Sequence, residues 1–277
     1  MKKTRLKQRK RFAVLKGLVI FSAVFIFVYI GVQPYVADFN STLATVFSII
    51  CDVMVVAVLI AVFLYYSGYG KCDSFLNQVE NEINDSGYYI TARKENTIAS
   101  YADAVTEDLK NRGYSVTTDL EINEFDFNVK AINGKSYFYT AAVDNVDKND
   151  IVAYIDAVIN DLTVRNLKRK GNAVICFITD RAEESAVALS KMITPIGKKE
   201  QLKIALAICE IDTGRVYFLG NVQTKCQQMI ANFAMNCDVP INNKYIGGEK
   251  LPFQYDLEEK MKSFTVKDYK NGNFYIH

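Results

Sequence analysis

An aspartate at position 52 interrupts an apolar run spanning about residues 43–66. Inside a hydrocarbon core an ionisable group costs at least about 2.5 kcal/mol, so it needs a partner or a purpose. If the two apolar runs of this chain form a hairpin centred near Asn40, Tyr29 lies at the same depth. A Tyr29 hydroxyl bonded to Asp52, or contact between copies of the chain through Asp52, is then one reading. The other is that the second helix begins later, near Ser48, and Asp52 sits by the interface. The usual agents of catalysis are scarce elsewhere. The only histidine is His277, so neither a histidine-bearing zinc site nor a Ser-His-Asp triad can be assembled. Six cysteines, Cys51, Cys72, Cys176, Cys209, Cys226 and Cys237, include no CxxC pair. Four or five of them read as core filler in preference to ligands, and disulfides are not expected in a reducing cytosol.

The elements that must position these residues start with a charge asymmetry. Eight basic residues and no acidic one lie among the first sixteen: Lys2, Lys3, Arg5, Lys7, Arg9, Lys10, Arg11 and Lys16. Two apolar runs follow, about 17–36 and 43–66, each long enough at about 1.5 Å per residue to cross a core of about 30 Å. Basic residues beside a span are retained on the cytoplasmic side. Residues 1–16 are therefore expected inside, a short loop carrying only Asp38 outside, and everything from Ser67 onward in the cytosol. Tyr35 and Phe39 at one boundary, with Tyr65, Tyr66 and Tyr69 at the other, suit interfacial aromatic belts. A cleaved signal peptide is the rival reading. Against it, the run exceeds the about 7–15 residues of a signal core, and Tyr35 is bulky where cleavage after Ala37 needs a small residue.

Residues 67–277 are expected to form one α/β domain, with a core over about 97–236 and a tail over 239–277. Leaving out the eight N-terminal bases, Asp38 and Asp52, the chain holds 25 basic and 29 acidic residues. That balance argues against a nucleic-acid surface. The basic run Arg165, Lys168, Arg169 and Lys170 reads as a solvated helix end. Periodicity gives helices at 73–86, 97–112, 148–168, 183–193 and 222–236, and strands at 88–91, 115–122, 125–132, 136–143, 173–179, 204–211 and 216–219. Asn133-Gly134 is a tight hairpin signal. The stretch 173–179 is apolar, as in a strand covered on both faces. Beyond 239 the pattern weakens to turn residues, a short charged helix at 257–262 and a polar tail expected on the surface.

The order helix, three antiparallel strands, long helix, strand, from Thr97 to Thr179, resembles the core of the restriction-endonuclease-like (PD-(D/E)XK) superfamily. The segment Thr179-Asp180-Arg181-Ala182-Glu183-Glu184-Ser185 is similar to its strand-to-helix passage after the core strand. Membrane-tethered relatives of the type IV restriction enzymes likewise place two membrane helices before such a domain. The likeness covers about 80 to 110 residues and is one of element order, which speaks to fold more than to function. It implies an Asp on the second strand and an acidic residue or Gln, then Lys, on the third, holding Mg²⁺ and positioning a water. Asp126 in Glu124-Phe125-Asp126-Phe127 falls at the first position. At the second the chain has Tyr139-Thr140-Ala141, so Tyr139 and Ala141 stand where the family has its metal ligand and lysine. Glu121, Glu124, Lys130, Asp144, Lys148 or Asp150 could restore the site from neighbouring positions. The simpler reading makes each a strand-edge or cap residue, with Asp147 and Asn149 flanking a helix start.

The expected fold is thus mixed α/β: a two-helix transmembrane hairpin, then a cytosolic domain with an αβββαβ restriction-endonuclease-like core and additional strands. The expected function is that of a non-catalytic binding or scaffold module in a bacterial inner membrane. It would hold no cofactor and would meet the lipid bilayer and an unidentified protein partner, not nucleic acid. Two alternatives stay open. One is a membrane-tethered, Mg²⁺-dependent nuclease using Asp126 with displaced partners; the other is a subunit of a membrane assembly, homo-oligomeric through its transmembrane helices at Asp52 and Tyr29.

Overall fold

The computed structural model describes residues 2–163, 170–196 and 201–271 of the 277-residue chain. Two compact units emerge: one joins the residues up to Val79 with the segment from Leu257, and the other is Glu80–Asp256.

In the first unit α1 (Lys2–Phe39) and α2 (Ser41–Tyr65) are linked by Asn40 alone. Phe12 meets Tyr65 at 5.5 Å near one end and Tyr29 stacks on Phe47 at 5.9 Å toward the other, so the helices are antiparallel. Asn40 is extended, and its side-chain oxygen accepts the amides of Thr42 and Leu43. That satisfies two donors at the start of α2 and lets one residue do the work of the expected loop. Pro34 lies inside α1 without ending it; apolar helices tolerate proline when a neighbouring helix holds them. The basic N-terminus and the first apolar run therefore form one helix, about 57 Å long at about 1.5 Å per residue. Phe27, Leu59 and Phe63 expose 79, 63 and 71 % of their surfaces, an apolar face of a kind that water-soluble folds do not leave bare. By length and composition both helices could cross a membrane. A π-helical turn, Tyr66–Gly70, leads into α3 (Lys71–Asn84).

The second unit is mixed α/β. In chain order it holds β1 (Tyr89–Ile90), α4 (Ile98–Asn111), β2 (Ser115–Ile122), β3 (Phe125–Asn133), β4 (Ser136–Ala142), β5 (Asn145–Val146), α5 (Lys148–Thr163), β6 (Gly171–Thr179), β7 (Arg181–Ala182), α6 (Glu184–Ser190), β8 (Ile193–Ile196), β9 (Leu202–Glu210), β10 (Arg215–Tyr217) and α7 (Lys225–Met229), continued by a π-helical turn, Ile230–Ala234. The main sheet runs β1-β10-β9-β6-β4-β3-β2, with β8 also on β9; β5 and β7 form a separate parallel pair. β4, β6 and β9 are parallel and the other ladders of the main sheet antiparallel. Alternation along β6 explains its unbroken apolar sequence. Val174, Cys176 and Ile178 enter one core with Tyr101, Val105 and Leu109 of α4 and Phe233, while Ala173, Ile175 and Phe177 enter another with Ile151, Val158 and Leu162 of α5.

Three expectations need correcting. The helix expected at 183–193 stops at Ser190, and Ile193–Ile196 is instead a strand on β9. Pro195 cannot serve a helix interior, and β8 uses it where it pairs on one side only. The helix expected from 222 starts at Lys225, after a Thr224 capping box with Gln227. The tail is not simply a polar surface segment. α8 (Pro252–Lys262) is followed by α9 (Val266–Lys270), Phe264 is buried, and Phe75 rests on Phe264 and Tyr269 at 5.6 and 5.4 Å. The expected end of α5 with Arg165, Lys168 and Arg169 lies outside the described residues, as does His277.

Candidate functional site

Two tight reversals place the candidate residues of β2, β3 and β4. Asn123 and Glu124, at φ +51° and +69°, turn the chain between Ile122 and Phe125. Gly134, at φ +59°, begins the turn between Asn133 and Ser136, a conformation glycine adopts without steric cost. In this register Lys130 faces Tyr139 directly, whereas Asp126 lies nearer the other end of β3, opposite Glu121.

Asp126 is exposed, and it is its backbone carbonyl that the Tyr154 hydroxyl approaches, at 3.3 Å. Burial, with the nearby Asp126 charge second, raises the Tyr154 phenol above its ordinary pKa. Tyr139 is fully buried and donates its hydroxyl to Asp161 Oδ2 at 2.6 Å. Lys130 Nζ holds the same carboxylate at 2.8 Å to Oδ1 and 2.6 Å to Oδ2. Both oxygens of Asp161 are engaged by protein donors, so the trio clasps α5 to β3 and β4 instead of presenting open metal positions. Ala141 is fully buried in the core beneath α5. Between them, the Thr140 hydroxyl is buried with no hydrogen-bond partner among the described residues.

Of the neighbouring acids, Glu121 is the cross-strand partner of Asp126, and the Asp126 and Asp150 charges both act on the Tyr154 phenol. Glu124 occupies the turn; Glu121, Asp144 and Lys148 are exposed. Asp147 accepts the amides of Asn149 and Asp150 at 2.7 and 2.8 Å, and Asp150 accepts that of Asp147 at 2.9 Å. This reciprocal cap starts α5, and those amide bonds hold the Asp147 carboxyl below the usual carboxylate range. Among the described residues no three His, Cys, Asp or Glu side chains are grouped where they could hold a metal ion. Cys176 and Cys209 are fully buried thiols, their sulfurs 3.7 Å apart in the sheet.

The Tyr29 to Asp52 pairing does not form within the chain. Tyr29 donates to the Ala44 carbonyl at 2.7 Å instead. Tyr29 sits against Ala44 and Phe47 near the start of α2, and Asp52 lies further along, exposed.

A second polar centre, which the sequence pattern does not reveal, lies in the α/β unit. Asp85 and Lys191 form an ion pair at 2.8 Å with side chains 0 and 1 % exposed. Lys191 Nζ also donates to the carbonyls of Ser86 and Phe218 at 2.7 and 2.9 Å. Asp85 Oδ1 accepts the Tyr89 hydroxyl at 2.6 Å and the amides of Gly220 and Asn221 at 3.2 and 2.9 Å. Gly220 is obligatory at this point, because a Cβ there would come within 2.3 Å of the Tyr89 ring. Burial lowers the Lys191 ammonium pKa, and Asp85 opposes that shift. All three ammonium hydrogens have acceptors, so the amine is a structural tie and no free nucleophile. Asp85 forms part of the wall of a groove of about 480 Å³ that includes Asn84, Asn221, Gln227 and Pro240, a size suited to a small ligand. No protein-family model and no curated protein sequence matches the chain.

The two kinds of buried polar group should respond oppositely to substitution. Lys191→Met strands the Asp85 charge and is expected to cost about 3–5 kcal/mol, read as a large drop in the thermal unfolding midpoint of the full chain in detergent. Thr140→Val removes an unpaired hydroxyl at nearly constant shape and should raise that midpoint, by about 1 kcal/mol of stability.

Proposed function

We propose that this protein is a membrane-anchored, non-catalytic binding module. In this reading α1 and α2 span a bacterial inner membrane, with the basic N-terminus and the α/β unit on the cytosolic side. The run α4-β2-β3-β4-α5-β6, with β2, β3, β4 and β6 as successive neighbours in the sheet, supports a restriction-endonuclease-like core. The observation that carries the non-catalytic reading is the Tyr139–Asp161–Lys130 clasp. It occupies the strands that would hold a metal, and among the described residues the exposed Asp126 belongs to no group of three His, Cys, Asp or Glu side chains. The groove beside Asp85 is a surface through which such a module could engage a ligand.

A second reading, assembly of copies through α2, is favoured by the place of Asp52. It lies about 16 Å along α2 at about 1.5 Å per residue, near mid-core for a span of about 30 Å, and it is exposed in the single chain. A carboxyl at that depth is stabilised by a partner from outside the hairpin.

Purified full-length protein incubated with single- and double-stranded DNA and RNA in Mg²⁺ or Mn²⁺ is expected to cleave none of them, and Asp126→Ala to behave identically. Metal-dependent cleavage lost in Asp126→Ala would replace the module by a tethered nuclease. On the second reading, Asp52→Leu should reduce the assembly size measured by light scattering in mild detergent; an unchanged size would remove that reading.

A further inference from the structure

We propose that a cavity in the helical unit binds the headgroup of an anionic phospholipid. This inference rests on the membrane-spanning reading of α1 and α2. Arg5, Arg9 and Lys16 fall on one face of α1, at spacings of four and seven residues. Together with Asp73 and Asn77 of α3, and with Phe12, Ala13 and Tyr65, they line a cavity of about 410 Å³.

Charge in the cavity is only partly balanced. Arg5 is buried and bonds Gln8, Asp73 and Asn77, so its charge is matched by the Asp73 carboxylate. Arg9 and Lys16 are exposed and have no ion-pair or hydrogen-bond partner among the described residues. Two uncompensated cations therefore line a recess whose polar wall is Arg5 bonded to Gln8, Asp73 and Asn77. Lys16 is the last base before the apolar run, and Phe12, Ala13 and Tyr65 supply the apolar part of the lining. In a spanning helix that is the depth of lipid phosphates. A phosphodiester between Arg9 and Lys16, with its acyl chains leaving along the apolar lining, satisfies both parts of the surface. Lys7 and Lys10 carry the same charge on the same helix but do not line the cavity, which gives an internal control.

The test uses the full chain in a non-ionic detergent and measures the affinity for phosphatidylglycerol and for phosphatidylcholine by native mass spectrometry. Preference for phosphatidylglycerol is expected, with Arg9→Gln/Lys16→Gln weakening it about 25-fold and Lys7→Gln/Lys10→Gln leaving it close to the unmodified value. Equal weakening by the two pairs would mean diffuse attraction to a basic helix and would overturn the proposal, as would absence of any preference. Displacement of the lipid by inorganic phosphate at matched concentration would assign the cavity to a soluble phosphate and also overturn it. Unchanged unfolding midpoints of both double variants would show that the helical unit is intact. Alkaline carbonate extraction of cell membranes separates the two levels of inference. Release of the chain removes the spanning reading and this proposal with it, whereas retention without lipid preference removes this proposal alone.

Discussion

β6 has no wet face, and the arrangement of the α/β unit follows from that constraint. From Ala173 to Ile178 every side chain is fully buried, so a layer must cover each side of the sheet. α4 and the π-helical turn after α7 supply one, and α5 and α6 the other. The parallel neighbours impose a second demand, since a strand can meet a parallel partner only after a crossover. α5 makes that crossing between β4 and β6, and α6 with β8 makes it between β6 and β9. Helix placement is therefore dictated by the burial of one strand.

Within this frame the polar residues are spent on fastening. Lys130 and Lys191 each face an aspartate, but in different surroundings: the first pair is 19 and 18 % exposed, the second 1 and 0 %. The partly buried pair closes the α5 layer over β3 and β4. The enclosed pair joins the end of α3 to the segments after α6 and β10, where the loops at Ser86, Phe218 and Gly220 would otherwise hold unpaired backbone groups. A lysine with every hydrogen bonded is poorly suited to chemistry and well suited to holding three loops at once.

The sequence reveals most where a single physical signal acts alone. β2 is legible to the residue, because period-two alternation ends at a turn on either side, and the α4 boundaries follow from the Thr97 cap and from Gly113 at φ +76°. Two apolar helices are legible from length and composition. β8 was hidden by competing signals, since its apolar residues continue the periodicity of α6 and only Pro195 marks the break. The one-residue reversal at Asn40 was hidden because Pro34 reads as a helix end in water. The Asp85–Lys191 tie was out of reach for another reason. Its members are separated by more than a hundred positions, and each read alone is a solvated helix-end charge. The likeness of element order directed attention to Asp126 and Tyr139; the register placed Lys130 beside Tyr139, and only side-chain geometry brought in Asp161.

The two ends of the main strand order, β1 and β2, are poor templates. β1 is two residues long, and part of its open side is occupied by the Tyr89–Ile246 bridge and by the Gly247 amide on the Tyr88 carbonyl. β2 is longer, but its side chains include Asp119 and Glu121, and Asp119 at φ +52° breaks its ladder. A long flat border invites another chain to add itself as a strand, and charge, shortness and local twisting discourage it. Copies crowded side by side would therefore resist zipping into a continuous sheet, a protection whose value grows with local concentration.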